Sequence, residues 1–146
     1  MKRHLIPLLA ALSMSMTAAS ANEEAVFDAL KLEVNVWESL ADALYYITVS
    51  TPEDRPAALA RYQDDATDFA TYLGALRREL ENDNDRATLE TIIEEWTAVK
   101  ALTDALIADV DAEATDSEFE SKVRTVWHRT IALEDRIEDL AIAVRD

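Results

Sequence analysis

The sequence predicts an all-α protein, an antiparallel up-down-up-down four-helix bundle behind an N-terminal secretory signal peptide. Three observations carry this. Apolar residues recur at alternating steps of three and four in four separate runs, which is the spacing of one helical face. The runs are separated by short polar breaks rich in Asp, Asn, Ser and Thr. Among 146 residues there are one Gly and three Pro, too few turn residues for a β fold.

Residues 1–21 read MKRHLIPLLAALSMSMTAASA. Lys2 and Arg3 form a short positive region, Leu5 to Met16 an apolar stretch, and Ala19-Ser20-Ala21 a small-x-small cleavage site. This is the pattern of a bacterial secretory signal. The apolar stretch is shorter than the ~20 residues that span a bilayer. Cleavage after Ala21 leaves residues 22–146 as one domain with twelve basic and thirty acidic side chains, a net charge of −18. The expected location is periplasmic or secreted, with no membrane insertion of the mature chain. All three Met and His4 leave with the signal, so His128 is the one imidazole that stays.

The first helix is expected over 23–49, with Phe27, Leu30, Val34, Trp37, Ala41 and Leu44 on its seam. The break Ser50-Thr51-Pro52-Glu53-Asp54 follows. Pro56 delays regular helix to about Arg55, with Asp54 as an alternative cap. The second helix, 55–82, carries Leu59, Tyr62, Ala66, Phe69, Leu73, Leu76 and Leu80. Asn82-Asp83-Asn84-Asp85 is a polar turn with capping Asn residues. The third helix, 85–113, carries Leu89, Ile92, Trp96, Val99, Thr103, Leu106 and Val110. Thr115-Asp116-Ser117-Glu118 fits a capping box for the fourth helix, 116–145. Its seam is Phe119, Val123, Val126, Thr130, Leu133, Ile137, Leu140 and Val144. A mean step of three and a half residues predicts near-parallel packing at roughly 20°. Short connections impose the antiparallel order. At mid-depth Trp37, Phe69 and Trp96 fill the space that a flat cofactor would need. Thr103 and Thr130 are expected to bond the carbonyl of the preceding turn.

The absent residues exclude chemistry. Without Cys there is no disulfide, thiolate metal site or iron–sulfur cluster. The architecture is similar to the haem-carrying bundles cytochrome b562 and cytochrome c′. That resemblance implies either a Cys-x-x-Cys-His attachment, or a Met near the mature N-terminus with a His in the last helix. The mature chain has neither Cys nor Met. His128 does lie in the last helix, but between the seam positions Val126 and Thr130, which puts it on the outer face. One His cannot supply the two Glu-x-x-His motifs of a di-iron bundle, nor a zinc site. Ser39, Ser50, Ser117 and Ser121 form no Ser–His–acid arrangement. No catalytic, cofactor-binding or metal residue is assigned, no cofactor is expected, and the chain is expected not to be an enzyme.

The stretch Asp109 to Glu120 places oxygens like an EF-hand loop, but Ala114 stands where the sharp turn needs Gly. A solvated turn is the expectation there. The negative charge excludes generic nucleic-acid binding. It leaves room for a basic partner or loosely held divalent cations.

The first helix is apolar on more than one side. Opposite its seam lie Leu32, Val36, Ser39, Ala43 and Tyr46 at steps of four, three, four, three, and Val26, Leu40 and Ile47 flank the seam. A helix apolar nearly all round should be covered. Leu32, Val36 and Tyr46 are therefore the candidate interaction patch, for a homodimer or for another envelope protein. The expected function is a non-catalytic bundle that binds a protein partner or serves as an accessory module. The alternative, from a likeness of shape to the periplasmic sensing domains of chemoreceptors, is a sensor of a small ligand or cation. A b-type haem protein is a third reading.

Overall fold

The computed structural model describes the backbone of residues 5–113 and 116–145, and the side chains of residues 23–113 and 116–145. The expected signal peptide, 1–21, lies outside the residues whose side chains are described. The described residues form four packed helices and no strand: α1 Leu5–Thr48, α2 Arg55–Glu79, α3 Asp83–Asp111 and α4 Phe119–Arg145.

Local chemistry sets the ends. Thr51 Oγ1 donates to Asp54 Oδ2 at 2.8 Å and accepts from the Asp54 amide at 3.3 Å, closing the turn before α2. Asp54 holds the cap position and Pro56 lies in the first turn, where a missing N–H costs nothing. Leu80 turns extended and ends α2 short of the expected residue 82, and its carbonyl accepts from Arg86 Nε at 2.8 Å. Asn82 Oδ1 accepts from the Asn84 amide at 2.8 Å, so α3 starts at Asp83, two residues earlier than expected. After α3, Glu113 takes a left-handed conformation (φ 52°). Asp116 Oδ1 then accepts from the Glu118 amide at 2.9 Å, and α4 begins at Phe119 rather than at 116. Thr115, the other half of the expected capping box, lies outside the described residues.

The seams of α2, α3 and α4 are those of the heptad reading. Their positions are buried except Leu59, Phe119 and Val123, which are half-buried. The seam of α1 is not. Phe27, Leu30 and Val34 are 54%, 47% and 47% exposed. The buried face is the opposite one, built from Ala25, Ala29, Leu32, Val36, Ala43 and Tyr46. The candidate patch is thereby corrected: Leu32, Val36 and Tyr46 are 0%, 1% and 4% exposed and belong to the core. The physical reason is close approach without charge. α1 packs most extensively on α2. Ala25, Ala29 and Ala43 on α1, with Ala58 and Ala66 on α2, let the two backbones come near. The sector from Ala25 to Ile47 that holds these residues carries no charged side chain, so its burial costs no ionic desolvation.

The α2–α3 pair is wider and is bridged by long side chains. Phe69 stacks on Trp96 with ring centroids 4.2 Å apart. Tyr62 donates to Asp104 Oδ1 at 2.8 Å, and Arg77 pairs with Glu90. Phe69 and Trp96 thus occupy the interior as expected. Trp37 stands at the rim instead, half-buried and edge-on to Trp127 of α4 at 5.7 Å. The buried Thr103 and Thr130 hydroxyls donate to the Val99 and Val126 carbonyls at 2.9 and 3.0 Å. Buried Asn35 donates to the Lys31 carbonyl at 2.8 Å. Only Ser39 Oγ, among the buried hydroxyls described, has no partner.

Candidate interaction surface

Ser39, Tyr62, Trp96, Thr103 and Thr130 line a cavity of about 10 Å³, the size of one water molecule. Larger clefts are open and lie on the outside. One of about 360 Å³ runs between α3 and α4 beside Glu94, Glu95, Ala98 and Arg129. Another of about 340 Å³ is lined by Glu23, Glu24, Phe27, Asp28 and Glu79. Among the described residues no cluster of His, Cys, Asp or Glu could hold a metal ion. Asp109, Asp111 and Asp116 of the EF-hand-like stretch have partners of their own. Lys122 reaches Asp109 at 3.4 Å and Asp116 at 3.2 Å, and Tyr46 donates to Asp111. The backbone amide of Glu118, and after it the Lys122 amine, hold Asp116 below the ordinary carboxylate value. His128 is exposed on the outer face of α4.

The surface feature that stands out is the side of α1 left outside once Leu32 and Val36 turn inward. Phe27, Leu30, Val34, Ala41 and Tyr45 are exposed there, and Trp37 and Leu44 are half-buried at its margin. Trp37 carries the apolar strip onto α4 through Trp127, itself 41% exposed. From Phe27 to Tyr45 the strip is about 27 Å long at ~1.5 Å per residue. It keeps the heptad spacing of a helix-packing seam.

Its surroundings are acidic. Residues 23–48 contain six carboxylates and one base, Lys31, whose amine lies over the Phe27 ring at 5.3 Å. On the α2 side, burial and the charges of Glu38, Asp42, Asp68 and Asp64 push Asp65 up to about 6. Towards the Phe27 end of the strip, burial and Glu24 raise Asp28 against the pull of Arg78. Burial, Asp28 and Glu24 raise Glu79 in the same way. Asp65 and Glu79 each keep one enclosed carboxylate oxygen without a partner. On the α4 side, burial followed by Glu134 and Glu138 raises Glu33. Arg61 offsets part of this by pairing with Asp42 at 2.8 Å. The arrangement presents an aromatic and aliphatic strip between two negative edges.

The heptad count did find the residues of this strip but assigned them to the core. Two faces of α1 share the same spacing, and size favoured the wrong one. The signal that separates them is the uncharged sector with its alanines.

Among the described residues no helix is long and apolar enough to cross a membrane. Comparison of the chain with protein-family models, with curated proteins and with solved structures finds no match.

Proposed function

We propose that the chain is an exported, non-catalytic helical-bundle protein that binds a protein partner, or serves as an accessory module, through the outer face of α1. The observation that carries the reading is the exposed heptad strip of Phe27, Leu30 and Val34, joined to Trp127 of α4 through Trp37. A strip of that spacing is the surface one helix offers to another. Export follows from residues 1–21, read as a signal removed after Ala21, with 22–146 as the working domain. The up-down-up-down order is supported by cross-helix pairs. Arg61 near the start of α2 meets Asp42 near the end of α1. Tyr62 and Arg77 of α2 meet Asp104 and Glu90 of α3 in reversed order. Lys122 at the start of α4 meets Asp109 at the end of α3 at 3.4 Å, and Arg136 just past the middle of α4 meets Glu95 just before the middle of α3 at 2.9 Å. The net charge of −16 argues against nucleic acid as the partner.

The test has two parts. Expression in a bacterial host, fractionation and mass measurement should give an exported protein beginning at Asn22. Affinity capture from envelope extract should retain a partner on the wild type and lose it on Leu30→Glu with Val34→Glu, at unchanged helical circular dichroism. Retention of the same partner by the variant would defeat the assignment of this face.

A further inference from the structure

We propose that the segment seated on the α1 strip is a cationic amphipathic helix of the partner. The inference rests on the reading of that face as a docking surface and adds the chemistry of its occupant.

Shape selects a helix. The strip follows one face of a continuous helix, is about 27 Å long and is spaced at three and four residues, so a helix of about five turns matches it end to end. Charge selects the sign. On the α4 side Glu33 lies within electrostatic reach of Glu134 and Glu138. On the α2 side Glu38 and Asp42 lie within electrostatic reach of Asp65. At the Phe27 end Glu24, Asp28 and Glu79 crowd together beside an open cleft of about 340 Å³. These carboxylates repel one another, and Lys31, Arg61 and Arg78 offset only part of that repulsion.

A second copy of the chain is the poorer occupant. A two-fold contact through the same strip would set acidic edge against acidic edge, with a charge of −16 on each chain. A neutral helix would bury the edges without relieving them. Lys or Arg side chains flanking an apolar face would reach both edges, their stems lying on the strip and their heads among the carboxylates.

The test uses the full chain and a labelled eighteen-residue peptide of Leu and Lys in amphipathic order. Two controls accompany it, a peptide of the same composition scrambled to destroy the helical face and an amphipathic Leu and Glu peptide. Binding is read by fluorescence anisotropy at two salt concentrations. The expected result is at least tenfold tighter binding of the amphipathic Leu and Lys peptide than of either control. Leu30→Ser with Val34→Ser should weaken it at least tenfold at unchanged circular dichroism. Glu33→Gln with Glu38→Gln should weaken it and flatten its salt dependence. Equal binding of the scrambled peptide, or unchanged binding to the Leu30→Ser, Val34→Ser variant, reduces the effect to bulk charge and overturns the proposal. A dimer in sedimentation that dissociates on Leu30→Ser, Val34→Ser overturns it in favour of a second copy. If envelope capture depends on Leu30 and Val34 while the peptide does not bind, the occupant is wrong and the docking face stands. If neither depends on them, both readings fall.

Discussion

Replacing Asp65 with Asn should stabilise the fold at neutral pH and flatten its response to mild acid. Burial and the charges of Glu38, Asp42, Asp68 and Asp64 hold the Asp65 carboxyl at about 6, against an ordinary 3.8. Expressed in full, that rise is worth about 3 kcal/mol at ~1.4 kcal/mol per pH unit. The side chain is only half-buried, and water screens most of the effect, leaving about 1 kcal/mol. The folded chain takes up this proton near pH 6 and the unfolded chain near 3.8, so between those values the folded state holds more protons. Stability therefore rises as pH falls through 6 towards 3.8 and is lost as pH rises through 6. Asp28, Glu33 and Glu79 are raised too and act in the same direction. Urea denaturation followed by circular dichroism, from about pH 7.5 down to about pH 4.5, reads the effect. The wild type should gain about 1 kcal/mol or more over that range. Asp65→Asn should begin about 1 kcal/mol higher and gain less. A wild-type chain that loses stability steadily over the same range would refute the reasoning. So would an Asp65→Asn variant no more stable than wild type at the upper pH.

Three further outcomes follow from the packing. Leu32→Ala, at a fully buried site, should cost about 2–5 kcal/mol, while Leu30→Ala on the exposed strip should stay within about 0.5 kcal/mol; urea midpoints compare them directly. Phe69→Ala removes the ring stacked on Trp96 and should cost about 3–5 kcal/mol, with a change in the near-ultraviolet dichroism of Trp96. Ser39→Ala removes an enclosed hydroxyl without a partner and gains helix propensity, so it should stabilise by up to about 1 kcal/mol. Destabilisation by Ser39→Ala of more than about 1 kcal/mol in thermal unfolding would mean that this hydroxyl is hydrogen-bonded in solution.

Three of the four seams were legible because each of those helices has one apolar face and one polar face. On α3, Leu89, Ile92, Trp96 and Val99 have no rival set, and all four are buried. On α1 periodicity could not decide. Phe27, Leu30 and Val34 compete with Leu32, Val36 and Ala43 at equal spacing, and the first set has more bulk. The contest turns on tertiary terms, the close fit of alanines against α2 and the absence of charge to desolvate. The candidate patch Leu32, Val36 and Tyr46 was for that reason placed on what is the buried side of the helix. Helix starts slipped where a single side chain decides them. Asn82 caps α3 two residues ahead of the expected start at 85, and Leu80 leaves the helix with no Gly or Pro to announce it. The raised carboxylates were beyond reach, because thirty acids make pairings by chance and only the placement of Asp65 against Glu38 and Asp42 selects one.

The uneven spacing of the helices bears on how the chain assembles. α1 with α2, and α3 with α4, are sequence neighbours joined through short corners, and both pairs touch extensively. Each is a hairpin whose closure constrains little chain. Among the described residues the α1–α4 contact is the only extensive one between segments distant in sequence. Folding should then proceed as early hairpin formation followed by one docking event, on the microsecond to millisecond scale typical of low contact order. The Phe69–Trp96 stack spans the loose side between the hairpins, so it is expected to form in that last step, and Phe69→Ala should then mainly speed unfolding.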